Sequence, residues 1–310
     1  MKHVFFVPVK AISERVPNKN FKPVPQFKNA PLYQIIPLKI AKVCNQLGLD
    51  YRVVMDSNSE EVHNWVKILR NTAPSSIDPN HPLGPGKYPS DRIVTRKRPK
   101  HLCNNSANGN YILREGVQWL QGRDEVVYDP DNTIIWQAFV TTPLLSETTL
   151  RDMIVRMENY QWVSTSFTSG ISILTVEPHQ GFFWDEQCRP IGGYRPEVML
   201  PSQNTPRIFK EIHGLFGIQL AEFLRLGCRT GSKPNFYPVP EEECVDIDWP
   251  EDLKKLGKNT ESTGPSPLIF PLMEQIEQYV AAKVMEGLMT KPSQPNSKPG
   301  PITGDQNDPR

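Results

Sequence analysis

The sequence has no pair of cysteines at the C-x-x-C spacing of a zinc or redox site, and its five cysteines are scattered along 310 residues. An odd and dispersed set of cysteines supports neither a disulfide framework nor a structural zinc site. A chain of this length buries enough apolar surface to fold without such cross-links. We therefore expect a protein of a reducing compartment, the cytoplasm.

The sequence also lacks an excess of charge of either sign and any long hydrophobic run. Lys and Arg number 35 against 34 Asp and Glu, which gives a net charge of +1. So small a charge argues against a chain-wide surface for nucleic acid or for an anionic membrane. The sequence contains no run of about 18 apolar residues, so no membrane helix is predicted. The apolar stretch near Met1 is too short for a secretory signal. We expect a soluble protein in which any phosphate binding is local.

The most informative stretch covers residues 4–23. An apolar run over residues 4–9 is followed at once by a polar segment that contains Lys10, Ser13, Arg15, Lys19 and Asn20. A buried strand that leads into a loop of cationic, hydroxyl and amide donors is typical of phosphate sites in α/β proteins. An ordinary solvated loop has a similar composition. The residues alone leave both interpretations open.

Patterns typical of strands and helices alternate after this loop. Residues 30–49 place apolar side chains at near-helical spacing, residues 50–57 are typical of a short buried strand, and a second amphipathic helix is predicted over residues 60–70. A central strand begins at Thr133, and a helix is expected over residues 148–160. This order predicts an α/β fold with a mostly parallel sheet flanked by helices.

Other stretches indicate loops and a change of character near the end of the chain. Residues 71–97 make a long connection rich in Pro, Ser, Gly and Asn, which is a flexible lid, a partner contact or an ordinary surface excursion. Residues 161–200 form a β-rich excursion that contains an aromatic cluster. We assign one α/β domain to residues 1–256, a linker and amphipathic helix to residues 257–289, and a disordered tail to residues 290–310.

Two carboxylates lie near the end of the predicted domain. An apolar-alternating strand is predicted to end in Asp246 and Asp248, and Pro250 to begin a helix. Alternation places both carboxylates on one face of the strand. Carboxylates that share a face are stabilised by a cation between them, and oxygen ligands suit Mg²⁺. A helix N-cap beside one solvated Asp is the other interpretation.

These segments resemble, in order, the motifs of the acylneuraminate cytidylyltransferase family over roughly residues 1–256. The family's I-P-A-R-G-G-S-K-x-I-P-x-K-N-x-x-P is matched at Pro8, Ser13, Val16, Pro17, Lys19, Asn20 and Pro23. Further matches are R-P-x-x-L-x-x-D-T/S-A over residues 98–107, T-S-P-L over residues 141–144 and V-D-I-D-x-P-E-D-L over residues 245–253. The departures are Lys10 for Arg, Ala11 and Ile12 for a Gly pair, Glu14 for Lys, Phe139 for Gln and Leu145 for Arg.

The resemblance implies a Rossmann-like nucleotidyltransferase fold and transfer of CMP from CTP to the anomeric hydroxyl of a sialic-acid-like or other 3-deoxy-2-ulosonic acid, with release of pyrophosphate. It assigns Lys10, Arg15 and Lys19 to the triphosphate, Ser13, Asn20 and Arg98 to the nucleotide, Gln203 and His213 to the sugar acid, and Asp246 with Asp248 to Mg²⁺. Catalysis would rest on Lys19, Arg15 and Asp248. The resemblance also implies a homodimer through the aromatic segment, whose rings could equally pack within one chain.

Two other functions remain open from the sequence. The D-x-D motif also occurs in nucleotide-sugar glycosyltransferases, although there it usually ends a mid-chain strand. A nucleotide-binding relative without turnover is the second, because Cβ atoms at Ala11 and Ile12 keep the backbone away from a phosphate.

Overall fold

Strands and helices alternate in the computed structural model, which describes residues 1–27, 29–71, 92–104, 106–123, 127–162, 171–198 and 200–256. The strands are β1 (Lys2–Val9), β2 (Pro23–Val24), β3 (Ala30–Pro31), β4 (Asp50–Ser57), β5 (Ile93–Lys97), β6 (Thr133–Ala138), β7 (Ile171–Gln180), β8 (Arg207–Gln219) and β9 (Lys233–Pro238). The helices are α1 (Leu32–Gln46), α2 (Glu60–Asn71), α3 (Gly109–Gln121), α4 (Glu147–Trp162), α5 (Leu220–Leu226) and α6 (Pro250–Lys255).

Within these residues, the main sheet has seven strands in the order β5-β4-β1-β6-β8-β7-β9. Neighbouring strands pair in parallel except at β8, which is antiparallel to both β6 and β7. Strands β2 and β3 form a separate small ribbon. The prediction of an α/β fold with a mostly parallel sheet is confirmed.

Strand β1 shows why the sheet is covered on both faces. Phe5 and Val7 belong to the core cluster that includes side chains of α1, α2 and α4. Val4 and Phe6, on the opposite face, pack with side chains of α3 and α5. Because every side chain of such a central strand meets a helix layer, the strand is continuously apolar rather than alternating.

The connections create a switch point in the middle of the sheet. From β1 the chain moves outward to β4 and β5, with α1 and α2 on one face. It then crosses the other face through α3 and returns to β6, on the other side of β1. In open α/β sheets, ligands bind at the carboxyl ends of the strands where the order reverses in this way. Here that point lies between β1 and β6.

Two sequence predictions are wrong in detail. The long connection predicted over residues 71–97 ends earlier, because Ile93–Lys97 forms β5 and pairs with β4. The strand predicted to end in Asp246 and Asp248 is absent, since residues 244–249 have irregular backbone in the described chain. Pro238 is the last residue of β9, and a 3₁₀ turn at Glu241–Glu243 follows Pro240, so the extended pairing ends before this segment.

The aromatic segment lies between β7 and β8. The predicted β-rich run over residues 162–167 begins at Trp162, the last residue of α4, and the rest of it lies outside the described residues. Strand β7 belongs to the main sheet, and residues 181–198 and 200–206 are mostly irregular, with a bridge between Trp184 and Pro190. The predicted helix within residues 257–289 and the tail over residues 290–310 also lie outside the described residues. None of the described helices has the length and apolarity needed to cross a membrane.

Candidate functional site

A cavity of about 310 Å³ opens at the switch point, along the carboxyl ends of β1 and β6. Its lining comes from segments that are far apart in the sequence. It comprises Pro8, Lys10, Lys19, Asn20, Arg98, Ala107, Gly109, Ile112, Gln137, Phe139, Val140, Thr141, His213 and Arg229. The cationic side chains in this set are Lys10, Lys19, Arg98 and Arg229, and the lining that the structure describes contains no carboxylate. The cavity is therefore suited to an anionic ligand.

The loop after β1 is shaped by Asn18 and Asn20. Asn18 adopts the left-handed conformation with φ of 55°, which asparagine tolerates better than most residues, and a short 3₁₀ turn follows at Lys19–Phe21. Nδ2 of the buried Asn20 donates to the carbonyl O of Lys10 at 2.9 Å. Oδ1 of Asn20 is buried without a hydrogen-bond partner. A buried amide oxygen is normally satisfied, so this atom has an acceptor position that no described residue uses.

Lys19 and Arg15 both contact Asp248. Nζ of Lys19 lies 2.9 Å from Oδ1 of Asp248 and 2.7 Å from the carbonyl O of Ile247. A guanidinium nitrogen of Arg15 lies 2.9 Å from the same Oδ1, and Arg15 also stacks over Trp249 at 5.4 Å. The loop that follows the first strand is thus held by the segment that precedes α6.

Asp246 lies beside the cavity, in contact with His213. Its Oδ2 is 3.3 Å from Nδ1 of His213, while its Oδ1 is buried and has no hydrogen-bond partner. An unpartnered buried carboxylate oxygen fits a metal ligand. Oδ1 of Asp248 is compensated by its two cations, and among the described residues no three His, Cys, Asp or Glu side chains converge to hold a metal alone. Asp246 fits the predicted Mg²⁺ better than Asp248 does.

Arg98 belongs to a buried ion cluster at the edge of the cavity. Its Nε lies 2.9 Å from Oδ2 of Asp56, and a terminal nitrogen donates to the backbone O of Asp56 at 2.7 Å. Arg96 donates to Oδ1 of the same carboxylate at 3.1 Å. Two guanidinium groups share one carboxylate, so the cluster carries an excess positive charge next to the cavity.

The turn after β6 forms another wall and is held from two sides. Nζ of Lys39 donates to the carbonyl O atoms of Pro143 and Leu145 at 2.8 and 2.7 Å. Burial lowers the pKa of Lys39 to about 8. On the other side, Oγ1 of Thr142 lies 3.1 Å from the carbonyl O of His213. The turn is therefore fixed relative to both α1 and β8.

Two lining residues, Arg229 and Gln137, belong to no motif that the sequence predicts for the site. Arg229 precedes β9, and its guanidinium carbon lies 3.8 Å from the ring centre of Phe216. One terminal nitrogen donates to Oε1 of Gln137 at 2.7 Å and the other to Oε1 of Glu211 at 3.0 Å. Burial lowers the pKa of Arg229 from its ordinary value, but a guanidinium remains charged in a protein. Gln137 carried a signal, a polar residue at the end of a buried strand, whereas Arg229 had none.

The sequence matches no protein-family model and no curated protein. Solved structures with a related arrangement include a CMP:2-keto-3-deoxy-manno-octonic acid synthetase complexed with CTP, at a TM-score of 0.46 and 12% identity over 83% of this chain and 97% of that one. A 4-diphosphocytidyl-2C-methyl-D-erythritol synthase from Anaerococcus prevotii DSM 20548 has a TM-score of 0.46 and 9% sequence identity, over 83% of this chain and 94% of that chain. The bifunctional IspDF from Campylobacter jejuni has a TM-score of 0.46 and 11% sequence identity, over 82% of this chain and 54% of that chain. At these values, the similarity says nothing of substrate or activity, and the family resemblance stays a prediction.

The fold brings most of the predicted site residues together. Lys10, Lys19, Asn20, Arg98 and His213 all line this cavity. Their roles toward a ligand stay predictions, but their convergence from separate strand ends is a property of the structure.

The remaining predicted residues lie outside the described lining of the cavity. Asp246 contacts the lining residue His213, and Asp248 contacts the lining residue Lys19. Ser13 and Arg15 belong to the loop after β1 but are not part of the lining. Gln203 is exposed in a 3₁₀ turn, where its carbonyl O accepts from Nε2 of Gln180 at 2.7 Å. Gln203 therefore has no described contact to the lining of the cavity.

Proposed function

We propose that this chain is a CTP-dependent nucleotidyltransferase that transfers CMP to the anomeric hydroxyl of a sialic-acid-like or other 3-deoxy-2-ulosonic acid and releases pyrophosphate. The observation that carries the proposal is the cavity at the switch point between β1 and β6, lined by cations and by no described carboxylate. A polyphosphate supplies the anionic charge that such a lining stabilises. Five motif residues line the same cavity and support the proposal: Lys10, Lys19, Asn20, Arg98 and His213.

Lys10, Lys19 and Arg98 would bind the triphosphate and the nucleotide. Attack on the α-phosphate increases negative charge on its oxygens and on the leaving pyrophosphate. Fixed cations around the reacting phosphate stabilise that charge, and no protein nucleophile is needed. Lys19 gives up or shares its contact with Asp248 when a phosphate arrives, and Arg15 moves from the same carboxylate.

Asn20 would orient the nucleoside part of the substrate, with Ser13 as a second polar contact from the loop. The unpartnered Oδ1 of Asn20 accepts a hydrogen bond, and a nucleoside offers both hydroxyl and amino donors. A free phosphate group, in contrast, offers no such donor once ionised. This atom therefore favours a nucleotide over inorganic polyphosphate.

Asp246 and Asp248 would hold Mg²⁺ together with oxygens of the substrate phosphates. A site with so few protein ligands suits Mg²⁺, which keeps waters and shares phosphate oxygens. When bound, the ion would neutralise phosphate charge and lower the pKa of the attacking hydroxyl. Before the ion binds, Lys19 and Arg15 hold the Asp248 carboxylate in place.

His213 would contact the sugar acid from β8. Its Nδ1 faces Asp246, so the imidazole ring is oriented by a carboxylate on one side and faces the cavity on the other. Gln203 lies away from the cavity in a single chain. It would contact the sugar acid only in a dimer formed through the aromatic segment.

A homodimer through the aromatic segment is part of the proposal. Phe182, Trp184, Ile191 and Val198 each expose two fifths or more of their surface. Apolar side chains grouped in this way favour a contact surface. Sedimentation equilibrium on the wild type and on Trp184→Ser tests this: the wild type should be dimeric and the variant largely monomeric, and a monomeric wild type contradicts the dimer.

Pyrophosphate release tests the reaction itself. The purified protein is incubated with Mg²⁺, with each common nucleoside triphosphate in turn and with a panel of sialic-type and other 3-deoxy-2-ulosonic acids. We expect release with CTP and one acid, and a loss of about 100-fold or more in Lys19→Met. Lys233→Met removes an exposed lysine at the start of β9 and serves as the matched control. Release with another nucleotide and none with CTP contradicts the cytidine assignment.

A nucleotide-binding protein without turnover is the second candidate. The observation that favours it is the hydrogen bond from the backbone N of Ala11 to Oδ1 of Asn58, 2.9 Å, which occupies a loop donor that a phosphate would otherwise use. Thermal stabilisation by CTP without pyrophosphate release across the panel supports this candidate. Release with any acid rules it out.

A further inference from the structure

Arg229 is the cation of the cavity that lies on the β6 and β8 side of the switch point. The loop cations follow β1, and Arg98 follows β5, on the other side. Arg229 is instead grouped with Phe139 after β6 and with His213 of β8. The two sides of the cavity thus carry two separate sets of ligand-binding groups.

The geometry points to Arg229 as the residue that binds the carboxylate of the acceptor, with the ring of Phe139 as the surface against which the sugar ring lies. This assignment rests on the proposed function, since it takes the acceptor to be an acid. It adds a specificity residue that no sequence motif marks.

Several contacts fix the Arg229 side chain before any ligand arrives. Its terminal nitrogens bind Oε1 of Gln137 and of Glu211, and its backbone N donates to Oδ1 of Asn110 at 3.0 Å. The amide of Gln137 is itself oriented, because its Nε2 donates to the carbonyl O of Gly109 at 3.2 Å. A group held in this way loses little conformational entropy when it binds a ligand.

The guanidinium is also suited to a carboxylate. Its side chain is 12% exposed, whereas Glu211, its carboxylate partner, is 42% exposed and lies toward solvent. A guanidinium has more N–H donors than the contacts to Gln137 and Glu211 use, and its planar fork matches the two oxygens of a carboxylate. An anion that enters the cavity therefore meets a partly desolvated cation.

Phe139 explains why the anion should be attached to a sugar ring. Its ring centre lies 5.3 Å from the guanidinium carbon of Arg229 and 5.3 Å from the ring centre of His213. An acceptor whose apolar face lies on Phe139 therefore has a cation at one end and a polar imidazole at the other. The imidazole side is the side of Asp246, where the reaction is proposed to occur.

The test compares an acidic acceptor with its neutral carboxamide, using the acid identified by the pyrophosphate assay. Wild type should prefer the acid by about 10- to 100-fold in kcat/KM, the range expected for hydrogen bonds to a charged group. Arg229→Gln should lose most of this preference by raising the KM of the acid, with the KM of CTP unchanged. Arg225→Gln, which removes an exposed arginine paired with Glu222, is the matched control and should keep the preference.

Glu211→Gln gives a second reading that does not depend on the stability of Arg229→Gln. It keeps an acceptor oxygen near Arg229 but removes the competing negative charge, so the KM of the acid should fall while that of the carboxamide stays the same. An unchanged preference in both variants overturns the assignment, as does a rise in the KM of CTP alone in Arg229→Gln. If wild type neither binds CTP nor releases pyrophosphate, it is the proposed function that fails.

Discussion

The ammonium group of Lys19 lies 2.9 Å from Oδ1 of Asp248, a residue 229 positions further along the chain. Arg15 reaches the same oxygen. One carboxylate near the end of the described chain therefore holds two cations of the loop that follows the first strand, and the predictions begin from this contact.

Replacing Asp248 by Asn should lower Mg²⁺-dependent pyrophosphate release by about 100-fold or more, because the change removes both a proposed metal ligand and the partner of Lys19. The ion pair with Arg15 is half exposed and contributes little, but the side chain of Lys19 is only 12% exposed, so we expect the free energy of unfolding to fall by about 1–3 kcal/mol. Activity assays and urea unfolding measure the two effects separately. Glu251→Gln, an exposed carboxylate on α6, is the control, and undiminished activity in Asp248→Asn would remove the metal role.

Replacing Asp56 by Asn should lower the free energy of unfolding by about 3–5 kcal/mol, since Arg96 and Arg98 would be left as buried cations without a counter-charge. Asp50 lies on the same strand and pairs with Arg92 at the surface. Asp50→Asn should therefore cost about 1 kcal/mol or less. Urea denaturation of both variants measures the two losses of unfolding free energy. Equal losses would contradict the view that the buried guanidinium groups need the Asp56 charge.

Replacing Gly217 by Ala should destabilise the protein by about 1–3 kcal/mol through overpacking. Gly217 of β8 lies opposite Trp136 of β6, and a Cβ atom there would overlap the indole ring. Gly122→Ala at the end of α3 places its Cβ no closer than 3.4 Å to a neighbouring atom and should be nearly neutral. Thermal unfolding distinguishes the two; a neutral Gly217→Ala would mean that Trp136 can move aside.

Stability toward acid should depend on Glu158. Nε2 of the buried His3 lies 3.0 Å from Oε1 of Glu158, and this hydrogen bond holds the pKa of Glu158 below its ordinary value of 4.5. The unfolded chain therefore takes up a proton at higher pH than the folded chain. The contribution of Glu158 is complete above about pH 4.5 and is lost as the pH falls through the folded pKa.

Glu158→Gln should accordingly flatten the decrease of the unfolding free energy on the acid side of pH 4.5. Urea unfolding at several pH values measures this slope. Glu186→Gln removes a carboxylate from an exposed turn without a histidine partner and serves for comparison. Identical slopes for wild type and Glu158→Gln would contradict the role of the His3 contact.

The sequence predicted the part of the site that follows directly from strands with clear apolar patterns. Lys10 comes directly after a continuous apolar run, and Lys19 and Asn20 lie in the same polar loop. Such a run in an alternating strand and helix order places its carboxyl end at the shared edge of a parallel sheet. Their position therefore depended only on local pattern and on the general architecture, and both were correct.

Arg229 and Gln137 could not be placed in this way. Arg229 reaches the cavity because β8 inserts antiparallel between β6 and β7, which brings the loop before β9 next to Asn110 of α3. No residue pattern signals that insertion. The strand predicted at Asp246 failed for a different reason: alternation of apolar and polar side chains describes any extended backbone, and whether it pairs depends on a neighbour that the sequence does not name.

The lining of the cavity extends from Pro8 to Arg229, and its loop is held by Asp248. During synthesis, β1 leaves the ribosome long before β8 and the segment that holds Lys19. The nascent chain consequently has a first strand and a cationic loop whose partners do not yet exist, and the site is among the last parts of the domain to be assembled. A ligand that needs the whole lining therefore stabilises only chains that extend past Arg229.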